Sequence, residues 1–177
     1  YIYKGKKTVY WCPHCETALA EAEIEYGEQK TPTIFVKMPL VKDNGQTPEA
    51  AKGKKAYMVI WTTTPWTMPA NVAVALNPAL EYAWVECEGE VLFMAKDLLA
   101  QVGAVCHKDL SNILGTTLGK DMEYAECVHP FPEYNNRRSL VVMADYVTTE
   151  AGTGCVHTAP GHGDVDFETG LKYKLPI

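Results

Sequence analysis

The segment richest in reactive side chains is Trp61-Thr62-Thr63-Thr64-Pro65-Trp66-Thr67-Met68-Pro69-Ala70-Asn71. Each proline fixes its own φ and pushes the residue before it, Thr64 or Met68, towards an extended conformation, so threonine hydroxyls are expected on a stiff loop. Such hydroxyls can hold a water, a carbonyl or a ribose. Threonine is also an ordinary strand residue and Trp66 an ordinary core residue, so composition alone does not choose between the readings. A second segment is Gly152-Thr153-Gly154-Cys155-Val156-His157-Thr158-Ala159-Pro160-Gly161-His162-Gly163-Asp164-Val165-Asp166. Its glycines let backbone amides approach a small polar ligand, and it runs towards a helix N-terminus whose amides point outward. His157, His162, Asp164 and Asp166 could ligate a catalytic metal, but no third cluster adds ligands. Asp164 and Asp166 also suit the positive end of a helix dipole, and Cys155 reads as a small buried strand residue rather than a nucleophile. A third segment, Trp11-Cys12-Pro13-His14-Cys15, has the spacing of half a tetrahedral zinc site, and no second Cys-x-x-Cys accompanies it.

Strands and two helices must carry these groups. Apolar and β-branched runs predict strands over residues 23–26, 33–38, 56–62, 72–76, 82–87, 91–95, 140–144 and 154–158. Turn residues at Asp43-Asn44-Gly45, Asn77-Pro78 and Glu88-Gly89 separate them, which implies a barrel or sandwich. Helical spacing marks residues 96–105, through Leu98, Leu99 and Val102, and residues 164–173, through Phe167 and Leu171. Residues 111–136 are broken by glycine and proline and carry no clear pattern.

The 177 residues, 47% hydrophobic, suffice for one sizeable core. No apolar run is long enough to span a bilayer, so a soluble, cytoplasmic protein is expected. Six cysteines with one meaningful spacing argue for a reducing compartment. The net charge of -6 is unfavourable for gripping phosphates, so any hold on RNA should be local or borrowed; the lysines at 52, 54 and 55 read as solubilising. Apolar residues at both ends, Tyr1-Ile2-Tyr3 and Leu175-Pro176-Ile177, suit a domain cut from a longer chain.

In this order, the three segments resemble the inserted editing domain of class I aminoacyl-tRNA synthetases for branched aliphatic amino acids, most closely that of bacterial-type isoleucyl enzymes. The threonine-rich loop is similar to the isoleucyl signature; valyl and leucyl relatives usually carry Arg-Pro where this chain has Thr64-Pro65. The stretch from Gly154 to Gly163, with Asp166 beyond it, is likewise similar to the isoleucyl form. The similarity extends from about Val9 through Pro176. It implies an α+β, β-rich fold with a β-barrel-like core and a few peripheral helices. It also implies one editing domain over residues 1–177, with the Cys-x-x-Cys half-knuckle of residues 9–16 at its edge. The implied activity is post-transfer hydrolysis of mischarged valyl-tRNA(Ile), with valyl-adenylate as a further candidate substrate. Its partners would be the acceptor end of isoleucine tRNA carrying valine and the rest of the parent synthetase, with no membrane. Editing would need no cofactor, and Cys12 and Cys15 would give half of a structural zinc site in the full-length parent.

The resemblance assigns roles residue by residue. Asp166 would pair with the substrate's α-ammonium group, and Thr62, Thr63, Thr64 and Thr67 would hold the ester, the adenosine and the attacking water. Trp66 and His157 would wall the side-chain pocket against isoleucine. Asn71 would brace the loop, and Gly154 and His162 would contact substrate. The rival readings are a valyl- or leucyl-type editing domain, a tRNA-binding insert without activity, and a metal-dependent hydrolase.

Overall fold

Val156 pairs with Trp61, and that one parallel contact closes a barrel. The computed structural model describes residues 2–28, 30–133 and 136–177. Among these, six strands close on themselves: β3 (Ile34–Lys42), β4 (Ala56–Thr62), β5 (Ala73–Leu76), β9 (Glu126–Val128), β10 (Arg138–Met143) and β11 (Val156–Thr158). Their order around the ring is β11-β5-β10-β9-β3-β4, with β4 returning to β11. β4 splits its outer edge. Residues Ala56, Tyr57 and Met58 pair with β7 (Glu90–Ala95), whereas Trp61 pairs with β11. From β7 the sheet continues out of the ring through β6 (Glu81–Cys87) to β8 (Ile113–Leu118).

Local chemistry explains most of this. β5 is buried along its whole length, and β6 and β7 are buried apart from Glu81, Glu86 and Glu90, as continuous apolar strands covered on both faces should be. Two residues join β6 to β7, Glu88 at φ 52° and Gly89 at φ 82°, and two positive φ values match the right-handed twist of a hairpin. Beneath lie Tyr82, Trp84 and Phe93, fully buried, with the Tyr82 and Phe93 rings stacked at 5.3 Å. The Tyr82 hydroxyl donates to the Gly154 carbonyl at 2.7 Å, tying the core to a segment that matters below.

Two helices cover the periphery. α1 (Leu99–Cys106) buries Leu99, Val102 and Gly103, and a 3-10 turn over Lys96–Leu98 precedes it, so the run expected over residues 96–105 is divided. α2 (Asp164–Tyr173) has the expected bounds. Its last residue anchors it: the Tyr173 hydroxyl donates to Glu123 Oε1 at 2.6 Å and accepts from the Met143 amide at 3.0 Å.

Three strand expectations need correction. Residues 23–26 form no strand; residues Glu21–Glu23 make a 3-10 turn, closed by the Ala20 amide donating to Glu23 Oε2 at 2.7 Å. β11 begins at Val156 rather than Gly154, because Gly152 and Gly154 take positive φ and bend the chain first. The patternless stretch of residues 111–136 contains β8 and β9, and Tyr134 and Asn135 within it lie outside the described residues. The Cys-x-x-Cys segment forms a hairpin of β1 (Trp11–Cys12) and β2 (Thr17–Ala18).

Candidate active site

The segment leaving β4 and the segment entering β11 both line a cavity of about 310 Å³. Its lining is residues 61–64 with Thr67, residues 151–157, residues 146–148, His162 and Asp166. The cavity thus sits where β4 exchanges β7 for β11, and the expected hydroxyl loop and glycine-flanked acid share one hollow.

On the threonine side, backbone and side chains interlock. Thr62 Oγ1 accepts from the Thr64 amide at 3.1 Å and lies 3.3 Å from Thr64 Oγ1. Thr67 Oγ1 donates to the Thr64 carbonyl at 2.9 Å and lies 2.9 Å from His157 Nε2. Residues Pro65–Ala70 form a 3-10 turn with Thr64 at φ -126°, so Met68 is not extended as its place before Pro69 suggests. That turn swings Trp66 outward: it is 62% exposed and outside the lining, so Trp66 does not wall the cavity. Thr63 is exposed and Thr64 half-buried, and both line the hollow.

Asn71 is fully buried behind this wall, where its side-chain nitrogen lies 2.9 Å from the Ala73 carbonyl and 2.7 Å from His157 Nδ1. Ser139 donates to its Oδ1. Both His157 nitrogens are therefore engaged. Burial, with His162 and His129 nearby, lowers the His157 pKa to about 4, so the ring is neutral at pH 7. It is no general base for neutral solution.

A folded pKa of about 4 against an unfolded 6.5 makes His157 a source of acid lability. Its stabilising contribution is present in full above pH 6.5 and is lost as the pH falls towards 4, by about 3 kcal/mol in total. Urea unfolding at pH 7 and pH 5 should show this loss in the wild type and a smaller one in His157→Gln. Equal losses would mean that His157 is not buried as the neutral ring.

Asp166 stands in the first turn of α2, two residues after Asp164, and the two acids differ. Asp164 is exposed and accepts from the Thr8 hydroxyl. Asp166 is half-buried, lines the cavity, and accepts from the Ala159 amide at 2.8 Å. Burial raises its pKa, opposed by that amide and by His162. A carboxylate held at such an energetic cost is a receptor for a cation that would relieve it. His162, exposed, lines the same hollow, as does Gly154, whose carbonyl is turned into the core towards Tyr82. Cys155 is fully buried with its thiol pKa raised by desolvation, and its Sγ faces the Phe93 carbonyl at 3.9 Å, so it is not an available nucleophile.

Residues 146–148 also line the cavity, and no motif marked them. Tyr146 carries its hydroxyl 3.5 Å from Thr169 Oγ1, and burial together with the charge of Asp166 raises its pKa. Only the aromatic preceding Val147, on the approach to Gly152, could have hinted at it. The Cys12–Cys15 knuckle lies in its own hairpin, with the Cys15 amide 3.3 Å from Cys12 Sγ, a contact that holds the Cys12 thiol below its usual range. Two thiols fit half of a tetrahedral metal site. Among the described residues, no group of three or more His, Cys, Asp or Glu could hold a metal ion. Lys52 and Lys54 pair at the surface with Glu49 and Glu86.

Comparison with known proteins gives the family and the fold. The model of the tRNA synthetases class I (I, L, M and V) matches residues 1–150. The chain is 51% identical, over 178 aligned residues and its whole length, to the isoleucine–tRNA ligase of Caldicellulosiruptor saccharolyticus, of which it covers 19%. It is 53% identical to that of Carboxydothermus hydrogenoformans, covering 18%. The chain therefore spans about a fifth of the length of these relatives. Among solved structures, the GlLeuRS-CP1 crystal structure superposes with a TM-score of 0.64 at 16% identity, over 81% of this chain and 65% of that one. The editing domain of the P. knowlesi cytosolic leucyl-tRNA synthetase gives 0.61 at 12% identity, over 82% and 65%. At such identities the likeness is one of fold: a β-rich barrel with few helices.

Proposed function

We propose, on the premise that this chain belongs to the class I tRNA synthetases (I, L, M and V), that it is the editing domain of an isoleucine–tRNA ligase and hydrolyses valine from isoleucine tRNA. The observation that carries the reading is the single hollow shared by the threonine loop and Asp166. A carboxylate there can hold the α-ammonium of an aminoacyl ester, and hydroxyls lining the same hollow can hold the ester and a water.

In this reading the water oxygen attacks the ester carbonyl carbon, the bond to the ribose oxygen breaks, and the proton passes to that oxygen. His157 is neutral with both nitrogens occupied, and Cys155 is buried, so neither serves as base or nucleophile. The substrate's neighbouring ribose hydroxyl and the positioned water supply the proton path, and catalysis rests on orientation. Valyl-adenylate, whose amino acid carries the same ammonium group, is a second substrate by the same argument. No cofactor enters this chemistry. Cys12 and Cys15 are half of a structural zinc site completed elsewhere in the parent, and the domain works in the cytoplasm on an acceptor end held mainly by the parent body.

Selectivity follows from size. One methylene is worth only about 1 to 3 kcal/mol in a binding pocket, so a second site that excludes the larger side chain is required. The His157–Thr67 contact braces one side of the cavity, and hydrogen-bonded groups yield little to an added methylene. The chain should deacylate valyl-tRNA(Ile) slowly, for want of the parent's grip on tRNA, and isoleucyl-tRNA(Ile) about 100-fold more slowly still. Equal rates on the two esters would refute the assignment, and preference for a threonyl or leucyl-type substrate would point to a valyl- or leucyl-type domain. The Thr64-Pro65 pair, where those relatives usually carry Arg-Pro, favours the isoleucyl reading.

A further inference from the structure

The hydrogen bonds behind the threonine wall have a direction, and it can be read from groups with only one role to play. The Ala73 carbonyl can only accept, so the Asn71 atom 2.9 Å from it is the amide nitrogen. The same nitrogen lies 2.7 Å from His157 Nδ1, which must therefore accept, leaving the proton of the neutral ring on Nε2. Asn71 Oδ1, the other end of the amide, accepts from the hydroxyl of Ser139, a fully buried residue of β10 that no motif singles out.

From His157 the direction continues forward. Nε2–H donates to Thr67 Oγ1 at 2.9 Å, and the Thr67 hydrogen goes to the Thr64 carbonyl, another pure acceptor, at 2.9 Å. Thr67 keeps one lone pair, and the Thr64 hydroxyl 3.4 Å away can fill it. Thr67 is then saturated. Thr64, with its proton directed at Thr67 and one lone pair facing Thr62 at 3.3 Å, retains a lone pair for the cavity.

We propose that Ser139 is a positioning residue of this site. With the Ala73 carbonyl it holds the Asn71 amide in one orientation, which fixes His157 as the Nε2–H tautomer and leaves Thr64, not Thr67, as the hydroxyl that accepts a hydrogen from the attacking water. The water in this statement rests on the hydrolytic reading above; the direction of the network does not.

Nitrogen-15 NMR of the histidine rings, on this chain without substrate at pH 7, reads the direction itself. The wild type should show His157 with Nδ1 bare and Nε2 protonated. Asn71→Asp replaces the donor to Nδ1 with an acceptor, so His157 should invert to Nδ1–H, and kcat on valyl-tRNA should fall about 100-fold with KM within about twofold. The carboxylate should also bring an imidazole titration between about pH 5 and 8 into the kcat profile, which a merely structural loss would not do. Ser139→Ala should lower kcat about tenfold at unchanged KM and move the Nδ1 resonance towards a mixed tautomer. Ser139→Cys, similar in volume but a weaker donor, should lie between and carries the test if Ser139→Ala does not fold.

A wild-type His157 protonated on Nδ1 overturns the proposal, as do a wild-type ring spectrum and wild-type kcat in Ser139→Ala or, failing that, Ser139→Cys. A chain with the expected tautomers that hydrolyses no aminoacyl ester defeats the functional reading alone.

Discussion

Asp166→Asn should reduce kcat/KM for valyl-tRNA(Ile) by two to three orders of magnitude while leaving the melting temperature at pH 7 no lower than the wild type's. The first half follows from the loss of a partly buried charge. Removing one member of such a charge pair costs about 3 to 4 kcal/mol, and the neutral amide cannot replace the attraction for an ammonium group. The second half follows from the sign of the pKa shift. Burial raises the Asp166 pKa, so its stabilising contribution is present at low pH, below the unfolded carboxyl value, and is lost as the pH rises through the folded value. At pH 7 the ionised group is a burden to the fold that asparagine does not carry. Asparagine also keeps an oxygen for the Ala159 amide, so the tie between the end of β11 and α2 is retained. Single-turnover deacylation and thermal melts of the two proteins decide the matter. Unchanged kcat/KM removes Asp166 from the site, and a melting temperature lowered by several degrees makes it a structural acid.

The contrast between Asp164 and Asp166 marks the limit of what the chain's sequence discloses. Both acids occupy the first turn of one helix, and the dipole argument serves them equally. Only tertiary contacts separate them: one meets Thr8 at the surface, the other meets the Ala159 amide beside the cavity. Where local rules suffice, the reading succeeds. Glu88-Gly89 dictates a two-residue hairpin whatever surrounds it, and α2 runs over the residues its spacing marks, ending where Lys174 turns left-handed. Where neighbours decide, it fails. The prolines around Trp66 suggested an extended strap, but hydrogen bonds from the Thr67 and Asn71 amides to the Thr64 and Met68 carbonyls wind it into a 3-10 turn and expose the tryptophan. β9 has three residues, too few for a period, and is held by β3 and β10. Tyr146 reaches the cavity only because the chain beyond β10 bends back towards β11.

The glycines beside the site had one shared reading, close approach of backbone to ligand, and they have separate physical tasks. Gly154 takes φ +71°, and a Cβ placed on it would come within 2.5 Å of the Ala95 Cβ. Gly161 has nothing within 4 Å of the same construction and no positive φ. Gly154→Ala should therefore be destabilising twice over. A left-handed alanine costs about 1 kcal/mol, and forcing a methyl against β7 costs about 1 to 3 kcal/mol more. At about 2 to 4 °C per kcal/mol for a chain of this size, the melting temperature should fall by roughly 5 to 15 °C. Activity should fall further than stability alone explains. The Thr153 carbonyl accepts from the Ala95 amide at 2.8 Å, and the Gly154 carbonyl accepts from Tyr82, so displacing this segment moves the wall of the cavity. Gly161→Ala should leave the melting temperature unchanged or raise it by about 1 to 4 °C, since it creates no overlap and reduces the freedom of the unfolded chain. If both variants melt alike, the chain does not pass tightly over β7 at Gly154. If Gly154→Ala melts early yet keeps full activity at 20 °C, the wall does not depend on it.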